Sequence, residues 1–179
     1  RERIHTALSG ELPDQVPWSI YRGLLPRDEE AERLQALGLA IVLNASTITV
    51  ERPNVKITTE PVDGCEGLSV RTYQTPVGCL QQIYRIEGGY GSSWTMEYPV
   101  KGPEDYAVLE FIINDTVYRP NYGAFQETDR TVGETGFVMT SLERTPIQKL
   151  WIEFTGIERL SIDLHETRDT VESVLNAFL

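Results

Sequence analysis

Three side chains at the ends of two apolar segments are the best candidates for binding a ligand. Arg22 follows the segment 16–21, whose last residue is Tyr21, and Asn44 ends the apolar run 39–44. If both segments are parallel strands, their carboxyl ends share the edge where α/β proteins bind ligands. The guanidinium of Arg22 offers a fork of donors that fits a carboxylate or phosphate group. We therefore predict that Tyr21, Arg22 and Asn44 bind substrate and that Arg22 binds its anionic group.

Two of these roles have structural alternatives. Arg22 is close in sequence to Asp28 and Glu29 and could form an ion pair with either. Asn44 could instead cap the turn that follows its strand, as asparagine side chains often do. The sequence leaves both alternatives open.

The other reactive side chains form no recognisable catalytic or metal-binding motif. Asp163, His165 and Glu166 are close in sequence, but helical spacing places only Asp163 and Glu166 on one face. Cys65 and Cys79 are 14 residues apart and form no Cys-x-x-Cys pair. We expect free thiols there, with a disulfide as the alternative. We predict no metal or other cofactor for this chain and assign no catalytic residue.

The composition is that of an acidic globular protein. The chain has 179 residues, 40% of them hydrophobic, and a formal net charge of -11. This charge disfavours nucleic acid and anionic membranes as partners, because phosphate binding needs a basic surface. The sequence has no apolar run of about 18 residues, the length that a membrane span requires. We expect a cytoplasmic protein that acts on a small-molecule substrate.

Strand and helix signals alternate around the candidate residues. The acidic first turn of 28–37 and the glycine after it predict a helix between the first two strands. Segment 137–140 is a third candidate parallel strand. Residues 54–87 contain segments rich in Val, Ile, Thr and Tyr between turn residues, which predicts an antiparallel β-meander. We interpret residues 87–94 as a loop, either a mobile cover over a site or a simple connector.

Four motifs spread along the chain carry a family resemblance. They are the opening 1–17 with the form R-E-R-x-x-x-A-L-x-G-E-x-P-D-x-V-P, the turn in 72–78, the segment 98–106 and the stretch 145–164. Together they are similar to the N-terminal part of the uroporphyrinogen decarboxylase superfamily. The resemblance implies an α/β fold, a (β/α)8 TIM-type barrel. Residues 1–179 would be its N-terminal portion, with a β-meander excursion over about 54–87 and the C-terminal half absent.

The resemblance also bears on the reaction. The family includes cofactor-free porphyrinogen decarboxylases and zinc-dependent methyltransferases that act on corrinoid proteins or coenzyme M. Arg22 stands where the decarboxylases have the first arginine that binds substrate carboxylates, whereas Leu25 and Pro26 stand at the second such position. Asn44 lies in the stretch where they carry an aspartate, and an amide cannot stabilise a cationic intermediate as a carboxylate does. The resemblance therefore favours a methyltransferase-like enzyme that acts with a corrinoid or thiol methyl carrier.

Two other functions stay open. One is a porphyrinogen decarboxylase (carboxy-lyase) relative, and the other is a non-catalytic half-barrel that acts as a binding module. The zinc ligands implied by the resemblance, a His-x-Cys motif and a later Cys, would lie in the absent half, so zinc is expected only in a longer protein. A corrinoid protein is the implied partner. Homodimer formation is a further expectation, because unpaired strands can pair with another chain.

Overall fold

The computed structural model describes residues 1–27, 29–87 and 92–179. Its strands are β1 (Trp18–Tyr21), β2 (Leu39–Asn44), β3 (Ile48–Glu51), β4 (Lys56–Pro61), β5 (Leu68–Thr75), β6 (Gly78–Glu87), β7 (Ser92–Glu97), β8 (Val117–Pro120) and β9 (Gly136–Met139). Its α-helices are α1 (Glu2–Leu8), α2 (Glu29–Ala36), α3 (Asp105–Asn114), α4 (Tyr122–Val132), α5 (Pro146–Lys149), α6 (Gly156–Glu166) and α7 (Arg168–Ala177). Short 3-10 turns cover Arg22–Leu24 and Gly133–Thr135, and a π-helix covers Leu150–Thr155.

The strands form three small sheets in a mixed α/β protein, and most of the pairing is antiparallel. One sheet is parallel with the order β1-β2-β9, a second joins β3 and β8, and the third is the antiparallel series β4-β5-β6-β7. The prediction of a TIM-type barrel portion is therefore wrong, since the described residues place three parallel strands in one sheet and show no barrel. Strands β4 to β7 pair with their neighbours in sequence, because short turns cost less loop-closure entropy than joining a distant parallel sheet.

The chain forms two compact units, each with its own buried residues. The first contains Arg1–Thr49 and Arg119–Leu142, and the second contains Val50–Tyr118 and Glu143–Leu179. The first unit holds the parallel sheet. The second holds the antiparallel sheet and an apolar core to which β6, α3, α6 and α7 contribute.

The parallel sheet of the first unit uses the three segments that the sequence predicted as parallel strands. β2 spans the predicted residues 39–44, and its first four residues are buried, which explains an apolar run without alternation. β1 begins at Trp18, directly after Pro17, because proline has no amide hydrogen to donate to a ladder. β9 begins at Gly136, one residue before the predicted start. Local sequence thus identifies these strands well.

The antiparallel sheet of the second unit extends beyond the segment predicted as a meander. β4, β5 and β6 lie within the segment predicted as a meander, and β7 pairs with β6 at the edge of the sheet. The predicted loop 87–94 is therefore partly strand, and residues 88–91 lie outside the described residues. β5 pairs with β6 along its whole length, which gives this sheet two well-ordered central strands.

A proline at position 146 is typical of a helix start, but the helical segment that follows it is divided in the structure. α5 ends at Lys149, and the next six residues form the π-helix. The buried hydroxyl of Thr155 lies 3.0 Å from the carbonyl oxygens of Leu150 and Gly156, and its single hydrogen is shared between these two acceptors. Gly156 then has a φ of 72°, which lets the backbone change direction before α6 continues.

A carboxylate is fully buried in the core of the second unit. Asp163 has no exposed surface, and it accepts hydrogen bonds of 2.8 Å from the Tyr106 hydroxyl and from Nε of Arg159. A second guanidinium nitrogen of Arg159 also contacts the carboxylate. Burial opposes ionisation of Asp163, but the hydrogen bonds from Arg159 and Tyr106 outweigh it and hold its pKa below the ordinary value. The charge is therefore neutralised within the protein.

We expect protonation of Asp163 to make the folded protein less stable in acid. The folded-state pKa of Asp163 is lowered, so its stabilisation is complete above the unfolded pKa of about 3.9 and is lost as the pH falls through the folded value. We expect the free energy of unfolding, measured in urea by circular dichroism, to drop steeply between roughly pH 5 and pH 2. Asp163→Asn should flatten that dependence, whereas equal slopes for both proteins would contradict the assignment.

A second cluster surrounds the buried side chain of Lys149. The ammonium group contacts the carboxylate of Glu143 and lies 5.8 Å from the centre of the Phe178 ring. The Tyr118 hydroxyl donates to the same carboxylate at 2.9 Å. Burial opposes ionisation of Glu143, but the hydrogen bonds from Lys149 and Tyr118 outweigh it and lower its pKa. Because its charge is paired, we assign Lys149 a structural role.

Candidate functional site

The carboxyl edge of the parallel sheet brings the predicted site residues together. β1 pairs with β2 from Trp18↔Leu39 to Tyr21↔Val42, and β2 pairs with β9 up to Asn44↔Met139. Side chains two residues apart on a strand share a face, so Tyr21, Asn44 and Met139 project from the same side of the sheet. Strand spacing places the Cα atoms of Tyr21 and Asn44 about 8 Å apart, a span that a small ligand can bridge.

Arg22 extends from this edge without an ion-pair partner in the part of the chain that the structure describes. It starts the 3-10 turn directly after β1, and its side chain is exposed. The alternative pairing with Glu29 does not occur, because the ion pairs of the described residues do not include Arg22. Asp28, the other candidate partner, lies outside the described residues. Glu29 therefore does not occupy the guanidinium of Arg22 and leaves it available to an external anion.

Asn44 does not cap the turn that follows β2. The amide of Ala45 donates to the carbonyl of Met139 at 2.9 Å and continues the ladder. The next turn is closed by Ser46, whose hydroxyl donates to the carbonyl of Ile48 at 2.6 Å and accepts from its amide at 3.2 Å. The exposed amide of Asn44 is therefore free of the capping role that the sequence left open.

The third strand adds residues to this edge that were not among the predicted site residues. Met139 ends β9 with 38% of its surface exposed, and Thr140 follows it. The hydroxyl of Thr140 lies 3.4 Å from that of Thr47. The predicted strand 137–140 could have identified them. If it is parallel to the first two strands, its last residues lie at the same carboxyl edge of the sheet.

A cleft lies at the opposite, amino-terminal edge of the same sheet. It has a volume of about 670 Å³ and is lined by residues that precede β1, β2 and β9. Arg3 donates to Asp14 there through two hydrogen bonds of 2.6 and 2.8 Å, and these bonds lower the pKa of Asp14. Because these charges neutralise each other, the cleft offers a ligand less than the unpaired groups at the carboxyl edge.

The described residues do not fit a zinc site. Within them, no group of three or more His, Cys, Asp or Glu side chains is arranged to hold a metal ion. Cys65 and Cys79 are free and exposed, and the carboxylate of Asp163 is bound by Tyr106 and Arg159. The cluster considered around Asp163 is therefore a structural ion pair.

Across the described ranges, no helix has both the length and the apolar character needed to cross a bilayer.

Comparisons with known proteins identify no relative of this chain. The chain matches no protein-family model, and neither the curated proteins nor the solved structures contain a significant match.

Proposed function

We propose that the chain binds the anionic group of a small-molecule substrate at the carboxyl edge of its parallel sheet. The observation that carries this proposal is that Arg22 and Asn44, at the ends of adjacent parallel strands, are exposed and unpaired within the described residues. Arg22 would bind a carboxylate, sulfonate or phosphate, and Asn44 would orient the ligand through a hydrogen bond. Tyr21, which is 49% exposed, would supply an apolar ring face beside them.

We further propose that this binding serves a methyltransferase-like enzyme of the uroporphyrinogen decarboxylase superfamily. Support comes from the sequence motifs and from the three strand ends, which carry Tyr21, Asn44 and Met139 and no carboxylate. A corrinoid or thiol carrier would supply the methyl-exchange chemistry when bound, while the residues of this chain bind and orient the substrate. We derive no step through zinc, because the described residues do not form a site for it. A cytoplasmic location, a corrinoid-protein partner and a homodimer are parts of the same proposal.

Coenzyme M, a thiol that carries a sulfonate, is the probe for this function. We expect calorimetry to detect its binding and Arg22→Gln to weaken it by roughly 10-fold to 100-fold, the cost of a charge-assisted hydrogen bond. Arg33→Gln is the matched control, because it removes an equal charge from the exposed surface of α2.

The outcomes separate the candidate functions. Equal affinities of the wild type and Arg22→Gln, or no binding by the wild type, would remove the support for this site. Release of carbon dioxide from uroporphyrinogen by the wild type would instead favour the carboxy-lyase alternative.

A further inference from the structure

Arg71 occupies an unusual position at the centre of the antiparallel sheet. It lies on β5, a central strand, opposite Thr59 of β4 and Gln82 of β6. Its guanidinium carbon lies 5.1 Å from the centre of the Tyr84 ring. Tyr73, two residues along the same strand, projects from the same face. A cation is thus held between two tyrosines on one face of the sheet.

This cation has no acidic partner in the described part of the chain. The protein carries 27 acidic residues against 16 basic ones, yet none of the ion pairs among the described residues includes Arg71. The side chain is half-buried, so its charge is only partly solvated. Burial opposes the charge of Arg71, but the adjacent phenol groups of Tyr73 and Tyr84 outweigh it and raise the pKa of the guanidinium. Arg71 is therefore a retained positive charge in an acidic protein.

The groups around Arg71 are polar and rigidly held. The side-chain amide of Gln82 donates to the hydroxyl of Thr95 at 3.3 Å, which fixes both groups on the same face. Tyr73 packs against the apolar core of the unit, so its phenol is anchored at one end. A guanidinium stacked on an aromatic ring keeps its edge donors in one plane, which suits an oxyanion. Side chains on central strands need little reorganisation to bind.

We propose that Arg71, Tyr73 and Tyr84 form a binding site for a small oxyanion, a carboxylate or a phosphate. The guanidinium edge donates two hydrogen bonds to the anion, and the phenol hydroxyls of the tyrosines donate the others. This site lies in the second unit and does not depend on the function proposed for Arg22 in the first unit. The purely structural alternative, in which Arg71 only stacks on Tyr84, predicts no anion binding.

The test is a titration of the isotope-labelled 179-residue chain with sodium phosphate and, separately, sodium succinate, followed by NMR. We expect at least one of the two anions to shift signals of β5 and β6 around Arg71 and Tyr84, and to do so more weakly as sodium chloride is added. Arg71→Gln should weaken this binding by roughly tenfold or more. Arg71→Lys should also weaken it, because an ammonium group cannot donate bidentately.

Lys56→Gln is the matched control for this site. Lys56 is exposed on the opposite face of the same sheet, so the substitution removes an equal charge without changing the face that carries Arg71. Its affinity for the anion should equal that of the wild type. Absence of shifts at β5 and β6 with both anions would overturn the proposal. Equal affinities of the wild type, Arg71→Gln and Arg71→Lys, with all three folded by circular dichroism, would also overturn it.

Discussion

Replacing Asp163 with alanine should lower the free energy of unfolding of the second unit by about 3 kcal/mol. The carboxylate is fully buried and accepts hydrogen bonds from the Tyr106 hydroxyl and from Arg159. Its removal leaves the buried hydroxyl of Tyr106 without its acceptor and the guanidinium of Arg159 without its counter-charge. Since Arg159 keeps 28% of its side-chain surface exposed, water solvates part of that charge, and we expect a cost at the lower end for a broken buried pair.

The exposed pair Arg168–Glu172 provides the control. It has the same i,i+4 spacing as Arg159–Asp163, but both of its side chains are largely exposed. Glu172→Ala should therefore cost less than about 0.5 kcal/mol. Native-state hydrogen exchange of the amides of α6 and α7 measures both effects within the second unit. If the two substitutions reduced protection equally, burial of the pair would not be the source of its stabilisation.

Replacing Gly156 with alanine should destabilise the second unit by about 3 kcal/mol through two separate effects. The residue has φ 72° and ψ 162°, a backbone conformation that is open almost only to glycine. A Cβ atom at this position would also lie 2.7 Å from Cε2 of the Tyr98 ring. Gly156 is buried, so an added methyl group fits only if the Tyr98 ring or the backbone is displaced.

Gly64 is a control for the positive φ without the steric contact. Its φ of 75° is also positive, but a Cβ atom there would meet nothing within 4 Å. Gly64→Ala should therefore show the conformational cost alone, about 1 kcal/mol. Urea unfolding of both variants gives the comparison. A cost for Gly156→Ala no larger than that for Gly64→Ala would mean that the Tyr98 ring does not constrain this junction.

Much of the local structure could be predicted from local patterns. The apolar run 39–44 lacks alternation, which is typical of a buried strand, and the structure gives β2 these bounds. α3 follows the proline and acidic residues that signal a helix start. Arg22 and Asn44 were assigned to strand ends, and parallel pairing places them at one edge. These features depend on residues within a few positions of each other, which is the range over which pattern and propensity act.

The arrangement of the strands into three separate sheets could not be predicted in the same way. The barrel expected from the resemblance is replaced by three sheets, because the partner of each strand depends on which distant segments pack most favourably. The π-helix was also missed, since the break depends on the hydroxyl of Thr155 and on the space that Gly156 leaves beside Tyr98. None of these contacts has a signature within a single helix or strand.

By itself, the sequence determined the strands of the parallel sheet and the residues at its carboxyl edge. Only the tertiary structure decided which charged residues are structural and which are available to a ligand. Asp163 had been grouped with nearby polar residues, but its partner Tyr106 is 57 positions away. No local sequence pattern marks Arg71, because the ring of Tyr84 contacts it only when β5 and β6 are paired. Charge and hydrogen bonding act through space, so a residue's role follows from its neighbours in the folded protein.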